Sequence, residues 1–91
     1  MKPKPPSLAD IGDLAVIVEA VRRSRNKERA EFRRLVRVYV NETGEQPDLV
    51  RDTDEEGIPE LIAARRRQQE AQKFLTYARA RLYAAIRRRA A

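Results

Sequence analysis

Apolar residues in the first half of the chain recur in steps of three and four: Ile11, Leu14, Val18 and Val21, then Phe32, Leu35 and Tyr39. That is the period of one helix face, because 3.6 residues complete a turn. Between the two runs the stripe would pass through Arg25 and Glu28, inside the polar segment RRSRNKERAE at 22–31. The second half repeats the arrangement. Ile58, Leu61 and Ile62 open a stripe, and Phe74, Leu75, Ala78, Leu82 and Ile86 close it. In AARRRQQEAQKF at 63–74, no residue from Arg65 to Ala71 is both apolar and larger than alanine.

Local signals bound two helices. Ser7 with Asp10 three residues on offers a hydroxyl to an orphan N–H and a carboxylate to the positive end of the helix dipole. Gly44 suits a left-handed helix stop, and Pro59 suits a first turn, where its missing N–H costs nothing. The pattern predicts a flexible Pro/Lys tail at 1–7 and one helical domain over 8–91: helix 8–42, acidic connector 43–57, helix 58–89. The expected class is all-α, a long antiparallel helical hairpin of coiled-coil type. A three-helix variant arises if the first helix breaks near Ser24 to Asn26, where Asn26 could cap a new start.

Folded back, residues whose numbers sum to roughly 97 should face each other. Leu35 then meets Ile62, Val21 meets Leu75, Leu14 meets Leu82 and Ile11 meets Ile86. The polar interruptions fall at the same height, with Arg25 and Glu28 opposite residues 68–72. The two gaps form one polar waist.

Composition turns this hairpin into a question of partners. The 91 residues are 42% hydrophobic and 37% charged, with two Phe, three Tyr and no Trp, which is little bulk for a self-sufficient core. In AVIVEAV at 15–21, Val16 and Ile17 cannot point where Leu14, Val18 and Val21 point. Their surface needs cover from a second copy, giving a homo-oligomer, or from another protein in a larger assembly. Apolar contacts are expected at Ile11, Leu14, Val16, Ile17, Val18, Val21, Leu75, Leu82 and Ile86.

Charge adds a second candidate. The net charge of +6 is distributed in blocks: −1 over 1–21, +6 over 22–40, −7 over 41–60 and +8 over 61–91. Contacts to an anionic partner are expected at Arg29, Arg33, Arg34, Arg65, Arg66, Arg67, Arg87, Arg88 and Arg89. The phosphate backbone of DNA or RNA is the alternative partner, though base-stacking aromatics are hardly interleaved with the Arg runs. The connector acids Asp52, Asp54, Glu55 and Glu56 could meet the same arginines within one chain or between chains.

Several chemistries find no support. DTDEEGIPELIA at 52–63 resembles the spacing of a calcium loop, yet its twelfth position is Ala63 where a bidentate Glu belongs. No metal or cofactor is expected. Without His or Cys, and without a Gly-rich phosphate cradle, catalysis is not expected either. No apolar run is long enough to span a bilayer, and the apolar face is narrow for a membrane surface. No secretory signal is visible at the N-terminus, so a cytoplasmic or virion-associated location is expected. The function expected is a non-enzymatic, basic helical assembly or adaptor module, in a homo-oligomer or a larger complex of phage or virion type.

Overall fold

A computed structural model describes residues 4–50 and 55–91. Two long helices, α1 (Leu8–Thr43) and α2 (Ile58–Ala90), pack against each other as a helical hairpin. α1 passes through Ser24 to Asn26 without a break, so the three-helix variant does not form. Arg and Lys in that segment are good helix formers, and a single Ser or Asn does not outweigh thirty-odd neighbouring residues.

Each helix end has a local cause. Ser7 Oγ accepts the Asp10 N–H at 3.0 Å while Asp10 Oδ2 accepts the Ser7 N–H at 3.0 Å. That reciprocal box satisfies two groups that would otherwise be orphaned at the start of α1. Gly44, at φ 73°, stops α1 and donates its N–H to the Val40 carbonyl at 2.8 Å. Gly57, at φ 89°, begins α2, with Pro59 in the first turn. Arg87, Arg88 and Arg89 close α2, where positive charge suits the carbonyl end of the dipole.

The register is fixed by contacts between the helices. Arg25 Nη1 donates to Gln72 Oε1 at 2.9 Å, and Arg67 Nε lies 3.5 Å from Glu28 Oε2. Near the connector, Gly57 sits against the Tyr39 ring, and at the far end Arg89 Nη1 donates to the Pro6 carbonyl at 3.3 Å. Partners on α2 fall in number as those on α1 rise. The polar waist is therefore a set of real contacts.

The inward face of α2 differs from the expected stripe. Phe74 and Ile86 are exposed, and alanines stand in their place: Ala71 and Ala85 are buried on either side of the expected Ala78, which is half-buried, and Ala64 is buried nearer the connector. Phe74 and Leu75 point 100° apart, and at this height only one of them faces α1 squarely. Leu75, at 0% exposure, takes the position. The seam is a heptad pair of columns, Leu61, Gln68, Leu75 and Leu82 beside Ala64, Ala71, Ala78 and Ala85.

Bulk is distributed unevenly along the seam. Tyr39, Ile58 and Leu61 form the buried cluster beside the connector, with Leu35, Val36, Leu49 and Ile62 packed on it. At the open end Ile11, Leu14 and Val18 are only half-buried. The molecule is a rod, 60 × 21 × 14 Å, with a radius of gyration of 19.0 Å. A compact chain of this length would have about 12 Å.

Candidate functional site

Helical spacing places a second set of α2 residues beside the seam: Arg67, Glu70, Phe74, Tyr77 and Arg81 follow one another in steps of three and four. On α1 the neighbouring edge carries Leu14, Ile17, Val21, Ser24 and Glu28. The two edges meet in one long groove. Leu14, Ile17, Val21, Phe74, Tyr77 and Arg81 line its lower part, and Ser24, Glu28, Arg67 and Glu70 its upper part. Val21 and Phe74 belong to both parts.

The groove is apolar at its centre and open to solvent. Ile17 is 47% exposed, Phe74 64% and Tyr77 70%. Three large apolar side chains lying together on a small hairpin are a patch rather than scattered exposure.

Of the residues expected to make apolar contacts, Leu75 packs entirely inside the hairpin and has no surface to offer. Ile11, Leu14, Val18, Val21 and Leu82 are half-buried in the seam. Val16, Ile17 and Ile86 are exposed, but only Ile17 lines the groove. Phe74 is expected in the inward stripe and Tyr77, with Tyr83, only as an aromatic near the basic runs, yet Phe74 and Tyr77 line the groove. The heptad alanines were the signal that could have freed Phe74.

Of the nine arginines expected to meet an anionic partner, Arg34 and Arg67 are met by acids on α1. Glu31 holds Arg34 at 2.7 Å, and Glu28 holds Arg67. Hydrogen bonding to Arg34 lowers the Glu31 carboxyl below its usual range and raises the Arg34 guanidinium, with Glu60 adding to the latter. Further down α1, Glu19 binds both Arg22 and Arg23, and chiefly the Arg22 hydrogen bond brings its carboxyl down to about 2. Arg29, Arg33, Arg66, Arg87 and Arg88 are exposed and have no ion-pair partner among the described residues; Arg65 is half-buried.

Of the acidic connector, Asp52 and Asp54 lie outside the described residues. Glu55 accepts the Tyr39 hydroxyl at 3.1 Å, and Glu56 borders a shallow pocket with Glu42 and Glu60. Burial, then the Glu55 carboxylate, pushes the Tyr39 phenol above its usual range. Among the described residues no group of three or more His, Cys, Asp or Glu is placed to hold a metal ion. No helix of the described chain is long and apolar enough to cross a membrane. Compared with protein-family models, curated proteins and solved structures, the chain matches none.

Proposed function

We propose that the chain is a non-enzymatic assembly module: an antiparallel helical hairpin that packs through an apolar groove into a homo-oligomer or larger complex. The observation that carries this reading is the exposure of Ile17, Phe74 and Tyr77 in one continuous groove. A patch of that kind on so small a chain is stabilised when something covers it. Basic and acidic groups around it then select the partner rather than supply most of the affinity. The cytoplasm or a virion is the setting that suits such a module.

Sedimentation across a concentration series tests the reading, run at low and high salt. Apolar packing predicts association that persists or tightens as salt rises, whereas charge-driven association weakens. A chain that remains a stable, monodisperse monomer at every concentration sinks the homo-oligomer form.

A second reading is favoured by the exposed arginines that pair with no carboxylate among the described residues, Arg29, Arg33 and Arg66 among them. They suit the phosphate backbone of a nucleic acid. Binding to nonspecific DNA or RNA should then fall steeply with salt, and an absence of binding at low salt removes this reading.

A further inference from the structure

The groove carries a charge pattern that specifies how a second copy would sit. Along its α2 edge the order is Glu70, Phe74, Tyr77, Arg81. The midpoint between Phe74 and Tyr77 is also the midpoint between Glu70 and Arg81, each about 8 Å away at 1.5 Å per residue. Neither Glu70 nor Arg81 has an ion-pair partner among the described residues. Some 16 Å apart on one helix, they cannot pair with each other.

The geometry points to a two-fold homodimer in which the α2 helices cross-pack in opposite directions through this groove. It rests on the assembly reading above and names its partner as a second copy of this chain. Turning one copy about an axis through that midpoint sets Glu70 against the copy's Arg81, and Arg81 against its Glu70. The same operation sets Phe74 on the copy's Tyr77 and the reverse, and brings Val21 of α1 close to the axis. One two-fold satisfies both charges and covers the aromatics. Such self-complementarity is what an isologous interface requires.

The opposite orientation fails on charge. With the two copies parallel, the connector ends would meet, placing Glu42, Glu56 and Glu60 beside their equivalents. The Arg87, Arg88 and Arg89 ends would meet as well. Like charges brought together at both ends disfavour that seating. Size does not stand in the way: the rod measures 60 by 21 Å across its broad side, against roughly 800 Å² per partner in a standard interface.

Charge reversal tests the pairing. In sedimentation equilibrium Glu70→Arg and Arg81→Glu should each raise the dimer Kd about tenfold or more, since each disrupts two symmetry-related pairs. The combined Glu70→Arg, Arg81→Glu chain should return to within about threefold of the unsubstituted protein. Circular dichroism accompanies each variant, and both sites are exposed, so folding should be kept. Orientation is read separately. The chain has no cysteine, so a spin label on an Ala91→Cys variant reports one distance. Opposed α2 helices predict about 45 Å between labels, and parallel ones about 20 Å. A protein that is monomeric throughout overturns both this dimer and the homo-oligomer reading. A dimer indifferent to the reversals, unrescued by the double exchange, or showing the short distance overturns this seating and leaves the assembly reading standing.

Discussion

Two glycines mark the connector, and they differ in what surrounds them. Gly44 and Gly57 both hold positive φ, at 73° and 89°, where a Cβ crowds the backbone. Around Gly44 an added Cβ meets nothing within 4 Å, whereas at Gly57 it lies 3.4 Å from the Tyr39 ring. Gly44→Ala should therefore cost about 1 kcal/mol, from conformation alone. Gly57→Ala should cost a similar amount, because 3.4 Å from the ring is ordinary van der Waals contact and the positive φ is the strain; urea unfolding of the two variants makes the comparison. Tyr39 also carries a pH dependence. Its phenol titrates above the usual value in the folded chain, so the folded state keeps the proton longer than the unfolded state. The stabilisation is complete below pH ~10 and is lost as pH rises through the folded value. Thermal unfolding between pH 8 and 12 should show that loss, and Tyr39→Phe should abolish the part due to this residue.

At the scale of the helices, the waist is where specificity and stability part company. Arg25 satisfies one nitrogen on Gln72, but its Nε is buried with no acceptor. An unsatisfied buried donor costs roughly 1–3 kcal/mol, while the pair still enforces one register by demanding a hydrogen bond. Replacing Arg25 by Leu removes that donor and leaves the exposed Gln72 to water, and should raise the melting temperature while leaving the hairpin less certain of its alignment. Calorimetry checks the first, and the spread of amide chemical shifts checks the second. How far this seam could be read from the chain follows from the same residues. The steps of three and four located both helices, and the coincident polar gaps put Arg25 and Glu28 opposite residues 68–72; Arg25 reaches Gln72, while Glu28 meets Arg67 just outside that range. The inward face of α2 was misread because large apolar residues were sought, and Phe74 was taken where Ala71 belongs. An alanine column leaves no hydrophobic peak, although it fills a heptad seam well. Leu49 was also missed, since nothing in the connector pattern says that it folds back on Tyr39 and Ile58. The exposed groove was legible only in part: Ile17 was identified as needing cover, but Phe74 and Tyr77 emerged once the seam was known.

Across the whole molecule, a rod with so modest a core draws much of its stability from whatever covers its groove. If the copies associate, the melting temperature should rise with protein concentration, as mass action requires when only the folded state binds. A rod also has two unlike ends. Among the described residues the buried cluster of large side chains stands beside the connector, while the open end is held by half-buried residues and the Arg89 contact to the Pro6 carbonyl. Amide hydrogen exchange should therefore run as a gradient. Backbone N–H groups around Tyr39 and Leu61 would exchange only on global unfolding, and those near Ile11 and Leu82 through cheaper local opening. Uniform exchange rates along both helices would contradict it. The gradient implies a direction in time as well. Closing the chain at Tyr39 and Ile58 encloses a far smaller loop than first contact at the open end would, so zipping from the turn outward is the cheaper order. The part of the groove towards the open end, at Leu14 and Arg81, then forms late, and a partner arriving early would act as the clasp that finishes the fold.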